Sequence, residues 1–431
     1  MRTMVKWLPL SGTILLAACG GGGGVQTVGS VAPPTGGTST PTPTPTGTFV
    51  DPTESKTYDA IGAVQHYEYN TRIRYQVDAT GALLLDASGN PIPDDGGPQS
   101  GQLYAGDANT ARDSGITVTY NPRDAIFEVT INRPLGDVNT GVMRFQDPAH
   151  RTDFAGARTP QAGVPNITGK GIQYLESGSS SGNVLSGGTY YTNSAKRSDY
   201  EVGAKGFTYV HQTFFYQKPG TTTKYVTYAG FVRNTISATE QQDDASSPLY
   251  LKEAYSLDRA AFVFGERTAN SAVPKSGSGS YTGDMIATVV YNPQLDIDPG
   301  YPTYMQWITG TNTTSVNFAT GVVSSTFDGT VTAPTIDAYT PNAAFMLPGG
   351  STFHAVAGAT IDLVNKGGFT GNFSSAGFTI GGTLNPINIA GSSIDGAFYG
   401  PNGEEIGGGF RIVGGTPDQR IDILGAYTGK K

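Results

Sequence analysis

The sequence predicts an all-β protein: a β-rich N-terminal half followed by a closed antiparallel eight-stranded β-barrel. Three observations predict it. Apolar residues alternate with period two in run after run, as in half-buried strands. Those runs are separated by Gly, Pro, Asn and Asp turns. And no long stretch carries the 3.6-residue period of an amphipathic helix. Composition agrees. Of 431 residues, 60 are Gly and 27 Pro, about a fifth together, which stays below the roughly 25–30% that marks disorder. Charged residues make up 14%, against about 25% in ordinary domains.

The first element is a leader. In MRTMVKWLPLSGTILLAACGGGGG, Arg2 and Lys6 precede an apolar run from Trp7 to Ala18. That run is too short to cross a bilayer, which takes about 20 residues, and it suits a signal peptide over 1–18. Leu16-Ala17-Ala18-Cys19 resembles the lipobox of bacterial lipoproteins. The resemblance implies cleavage between Ala18 and Cys19 and acylation of Cys19, the chain's one cysteine. Gly20 follows, with no Asp to hold the product at the inner membrane, so the outer membrane is the implied site. Residues 19–48 then read as a lipidated Cys and a disordered Gly/Pro/Thr tether, too poor in apolar residues to fold and able to span tens of ångströms.

From Phe49 the strands begin. In ITVTYNPRDAIFEVTI, Ile116, Val118 and Tyr120 share one parity, and Phe127, Val129 and Ile131 the other. FTYVHQTFFYQKPGTTTKYVTYAGFVRN repeats the plan around Lys218-Pro219-Gly220. A strand ends near Phe264 and a Gly-punctuated strand begins at Ser278. About eight strands fill the remainder, which suits a closed barrel. Its two longer loops are Asn292–Pro302 and Ala333–Gly350. The expected division is a β-rich region over 49–273 and a barrel over 274–431.

GAFYGPNGEEIGGGFRI, Gly396 to Ile412, reads as a hairpin. Ile394 and Phe398 alternate before Pro401-Asn402-Gly403, and Phe410 and Ile412 after it. A phosphate-cradling loop would need a helix after its glycines, and another strand follows instead. Glycine within a strand marks a bend or a close backbone approach. The stretch resembles the barrel signature of transferrin-binding protein B-like surface lipoproteins, carried here by Phe398, Tyr399, Gly400, Pro401, Glu404, Glu405, Gly407 and Gly408. PKSGSGSYTGDM, Pro274 to Met285, resembles the first barrel strand of that family. One signature implies one lobe, a handle domain plus a barrel. It further implies a ligand-binding lipoprotein of the cell surface, co-receptor to a TonB-dependent transporter, with an extracellular protein or an iron- or haem-type nutrient as ligand. The signature residues themselves are expected to be structural. A lipoprotein for adhesion or shielding, without a transport partner, is the alternative.

The chemistry of other classes is missing. Net charge is −8, and removal of residues 1–18 leaves 25 basic against 35 acidic residues, −10. With no basic block, nucleic acid is not a partner. The four histidines, His66, His150, His211 and His354, lack zinc-site spacing, so no metal or cofactor is expected. Gly178–Gly182 matches G-x-S-x-G, but no helix follows to make a nucleophile elbow. DASGNP at 86–91 lacks the later Glu of a calcium loop. The carboxylates Asp94, Asp95, Glu404 and Glu405 form no acid/base pair, since neighbours on a strand face opposite ways. The reading is therefore not an enzyme. An eight-stranded barrel is filled by its own side chains, so ligand contact is assigned to the handle, with Tyr67, Tyr69, Arg72, Tyr75, Tyr190 and Tyr191 as candidates, because Tyr and Arg recur in binding hot spots.

Overall fold

A computed structural model describes residues 54–75, 84, 87, 93–96, 100–106, 115–131, 142–146, 164–167, 169–176, 183–184, 206–218, 220, 222–241, 250–292, 304–332, 347–415 and 420–431. The leader, Ala18, Cys19 and the tether lie outside them, as do Tyr190, Tyr191, His150 and Gly178–Gly182. All described residues fall within one compact unit, 47–431.

Among the described residues every regular element is a strand. In the N-terminal half these are β1 (Lys56–Asp59), β2 (Ile61–Tyr75), β3 (Pro93–Gly96), β4 (Ser100–Gly106), β5 (Ile116–Asn121), β6 (Ile126–Ile131), β7 (Val142–Gln146), β8 (Ile172–Glu176), β9 (Asn183–Val184), β10 (Gly206–Gln217), β11 (Val226–Gln241) and β12 (Tyr250–Gly265). The C-terminal half holds β13 (Ser278–Asn292), β14 (Tyr304–Asn317), β15 (Val322–Val331), β16 (Thr352–Asp362), β17 (Gly368–Ile380), β18 (Thr383–Pro386), β19 (Ile389–Tyr399), β20 (Glu405–Gly414) and β21 (Arg420–Lys430).

The last nine strands pair in the order β16-β15-β14-β13-β21-β20-β19-β17-β18, and β16 also pairs with β17. That extra pairing closes an antiparallel ring of eight strands, with β18 hanging from β17 as a hairpin. The alternation does what closure requires: one parity points inward and packs. Phe327, Phe353, Phe369, Phe398, Phe410, Ile394, Ile412 and Tyr427 belong to one buried core, so the expected filling of the barrel by its own side chains is borne out. The expected strand ending near Phe264 is β12, and the one from Ser278 is β13. The barrel strands run 10–15 residues apart from the four of β18.

The N-terminal half is a two-sheet handle. One sheet runs β1-β5-β6-β7; the other runs β3-β2-β12-β11-β10-β8, with β4 added to β2 and β9 to β10. Ile116, Val118, Phe127, Val129, Ile131 and Phe145 of the small sheet meet Phe214, Phe231, Phe262 and Phe264 of the large one. The other face of the large sheet is also covered. Ile61, Phe215, Val226, Tyr228, Val232, Ala261 and Val263 pack with Ile286, Trp307, Ala397, Tyr399 and Ala426 of the barrel wall. A strand buried on both faces loses its alternation and reads as an unbroken apolar run. That is why Phe214-Phe215-Tyr216 and Ala260-Ala261-Phe262-Val263-Phe264 stand side by side in the sequence.

Candidate functional site: the signature hairpin and the handle sheet

The signature joins the two halves of the molecule. Its turn is built locally. Gly400 and Gly403 sit at φ +86 and +70, which L side chains rarely adopt. The backbone N–H and Nδ2 of Asn402 donate to the Glu404 carboxylate at 2.9 and 3.0 Å. Burial pushes the Glu404 carboxyl up, but those bonds and the charge of Lys431 outweigh it and hold it below the ordinary value.

Glu405, one residue on, faces the handle. Its side chain is buried and accepts three consecutive backbone N–H groups where the β10–β11 loop enters β11. Lys224 N–H donates to Oε1 at 2.6 Å; Tyr225 and Val226 donate to Oε2 at 2.8 and 3.1 Å. Burial raises the Glu405 carboxyl above its ordinary value, against the pull of the three amides and of Lys430. Lys430 is also its cross-strand partner on β21.

Around this bond the halves interlock. Thr268 N–H donates to Phe398 O at 2.9 Å, and Gly400 N–H to Glu266 O at 2.9 Å. Tyr399 is fully buried in the core shared by handle and barrel, whereas Pro401 is exposed in the turn. Gly407 faces Val226 and Val263 so closely that an added Cβ would stand 2.7 Å from Val226 Cγ2. Further along, Gln65 Nε2 donates to Asp422 O at 3.2 Å and Thr288 Oγ1 to Gln65 Oε1 at 2.6 Å. Asp284 takes Lys170 Nζ at 2.7 Å and Gln217 Nε2 at 2.8 Å. The Phe215 and Trp307 rings meet edge to face with centroids 5.7 Å apart.

Past this contact the large sheet continues. Tyr67 is the register partner of Leu257 and Tyr104, Tyr69 of Tyr255, Arg72 of Lys252 and Tyr75 of Pro93. These four candidates therefore share one strand near the far end of the sheet; their side chains, like Tyr190 and Tyr191, lie outside the described residues. Asp94 and Asp95 fall on β3.

Two histidines are described in full. His66 Nδ1 meets Asp258 Oδ1 and Nε2 meets Glu68 Oε1, both at 2.8 Å. Both ring nitrogens are thus engaged by carboxylates, which suits a buried polar tie in the handle. His354 Nδ1 lies 2.7 Å from Asp328 Oδ1 on the exposed wall. Among the described residues no group of three or more His, Cys, Asp or Glu could hold a metal ion. Sequence reasoning had passed over both ties, Glu405 to the β10–β11 loop and His66 to Asp258.

Closed barrel, two-sheet handle and a buried carboxylate tie together define an all-β scaffold of two joined halves. The family described as C-lobe and N-lobe beta barrels of Tf-binding protein B matches residues 273–431. That region, the closed barrel described above, is the one in which the signature resembled this family. Among solved structures, the chain is similar to a single mutant of Transferrin Binding Protein B from Haemophilus parasuis Hp5, at 13% identity and TM-score 0.29, over 86% of this chain and 76% of that one. Intact Ap-TbpB, with N and C lobes, matches at 11% identity and TM-score 0.27, over 87% and 78%. No curated protein matches.

Proposed function

We propose that the chain is an outer-membrane lipoprotein, anchored through acylated Cys19 and held off the lipid by residues 20–48. Its folded part, exposed at the cell surface, captures a protein or an iron- or haem-type nutrient as co-receptor of a TonB-dependent transporter. The single observation that carries the binding reading is the barrel match over 273–431. The filled interior and the long sheet then favour a ligand on the handle, near Tyr67–Tyr75, where side chains can vary without disturbing the scaffold.

Labelling with radioactive palmitate tests the anchor: wild type takes the label and Cys19→Ser does not; equal labelling of both overturns it. Protease treatment of intact cells tests the exposure, with loss of the folded part expected and full protection as the contrary result. Deletion of the gene, followed by growth with haem or iron-loaded protein as the iron source, tests the transport role. Slower growth is expected; growth equal to wild type on every source removes it.

A further inference from the structure

His66 stands where β2 leaves the barrel contact at Gln65 and enters the stretch Tyr67–Tyr75. It is buried, with Asp258 of β12 and Ala105 of β4 as its register partners on either side. Its ring is held at both nitrogens. Nδ1 lies 2.8 Å from Oδ1 of the buried Asp258, and Nε2 lies 2.8 Å from Oε1 of the half-exposed Glu68. Carboxyl groups ordinarily give up their protons near pH 4, and an ionised carboxylate can only accept. A neutral imidazole has one N–H to give. Beside two carboxylates its other nitrogen would meet an oxygen lone pair to lone pair. Only the imidazolium, with an N–H on each nitrogen, satisfies both contacts.

Few other charges face this ring among the described residues. On β11, Arg233 is the register partner of Asp258 and shares its face of the sheet, the face on which Phe231 and Ala260 pack. Its cation opposes charge on His66 and favours an ionised Asp258. Arg259, next on β12, points to the other face and donates through Nη1 to Asp258 O at 2.8 Å. The small sheet turns apolar side chains toward the large one, Val118, Phe127, Val129 and Phe145 among them. Its Glu128 and Arg144 alternate with those residues and pair at 3.1 Å on its outer side. Burial alone would favour a neutral ring. The two contacts at 2.8 Å decide against it, because a neutral ring leaves one of them repulsive.

We infer that His66 is a cation at neutral pH, a clamp that holds β2 to β12 through Asp258, and that this seam loosens when the ring loses its second proton. The folded chain then binds the proton more tightly than the unfolded chain, in which histidine titrates near 6.5. The contribution of the clamp is complete below about 6.5 and is lost as pH rises through the higher folded value. Tyr67–Tyr75 follow directly on β2, so the clamp sets the pH range over which that part of the handle sheet stays paired. It rests on the geometry of β2 and β12 alone, and its failure and the failure of the cargo assignment are separate results.

The test is nitrogen NMR of the full chain carrying isotope-labelled histidine. The signal lost in His66→Gln assigns the ring; if that variant does not fold, His150→Gln, His211→Gln and His354→Gln assign it by elimination. At about pH 7.5 an ordinary histidine is about nine-tenths neutral, whereas both nitrogens of His66 should carry protons. Glu68→Gln gives Nε2 a partner that can donate as well as accept, so His66 should then lose its charge at a lower pH than in wild type. Hydrogen exchange over 61–75, corrected for its intrinsic pH dependence, supplies the second readout. It should quicken about tenfold as wild type passes the His66 midpoint, the loss of one charge-assisted bond, and the step should move with the midpoint in Glu68→Gln. An unprotonated His66 nitrogen at about pH 7.5, a midpoint unchanged by Glu68→Gln, or exchange with no step at the midpoint overturns the proposal.

Discussion

Glu404 and Glu405 are neighbours with opposite surroundings, and their contributions to stability should run oppositely with pH. Glu404 titrates below its ordinary value, so what it contributes is present above that value and is lost as pH falls through the lowered one. Glu405 titrates above the ordinary 4.5. Its folded form holds the proton more tightly than the unfolded form, so its contribution is complete below 4.5 and is lost as pH rises through the raised value. Urea unfolding of wild type, Glu404→Gln and Glu405→Gln over this range checks the sign. The gap between wild type and Glu405→Gln should widen on acidification, and the gap for Glu404→Gln should narrow. At neutral pH, Glu405→Ala should cost more than Glu405→Gln, by about 1–3 kcal/mol, because three loop amides then lose their acceptor.

Three strand glycines sit opposite aromatic rings. Phe215 faces Gly230, Phe369 faces Gly396 and Phe410 faces Gly425 across their ladders. A Cβ on these glycines would stand 2.1, 2.1 and 2.3 Å from the facing ring's Cζ. Each ring lies over its partner's bare backbone, a pairing that stiffens a tightly curved sheet. Gly396→Ala and Gly425→Ala should each destabilise by about 1–3 kcal/mol through overpacking, read as a lower urea midpoint with an unchanged slope. The sequence shows that glycines interrupt these strands, and alternation alone placed Ile394, Phe398, Phe410 and Ile412 inside the barrel. It does not show which ring covers which glycine, because register is a property of two strands. Glu405 was hidden for the same reason. Its amide donors lie 179–181 residues away, and nothing within one strand distinguishes a carboxylate that bonds a distant loop from one in water.

At the scale of the molecule, the handle and barrel have a core in common. Phe215, Tyr228 and Val263 from the handle and Ile286, Trp307 and Ala426 from the barrel fill it, and Glu405, Gln65 and Asp284 are buried beside it with their partners in the other half. An isolated handle over 49–273 would expose the part of its large sheet that packs on the barrel, so the reading that the handle carries ligand contact is better tested by substitution in the full chain. Such an interface couples the stabilities of its two sides. The folded part should unfold in one transition, with near-ultraviolet circular dichroism and backbone circular dichroism coincident. Trp307→Ala removes the ring that Phe215 meets edge to face, and loss of so large a buried side chain costs about 3–5 kcal/mol. The loss falls on the shared core, while the inward-facing core of the barrel keeps its own packing. The variant should therefore separate the curve into two steps, the handle melting first and the barrel later. A single transition at a lower midpoint would show instead that the remaining polar ties, Glu405 foremost, are enough to keep the halves cooperative. Combining Trp307→Ala with Glu405→Ala then decides between the two accounts: two steps are expected from the double variant, and a single transition even there would mean that handle and barrel fold as one unit without either contact.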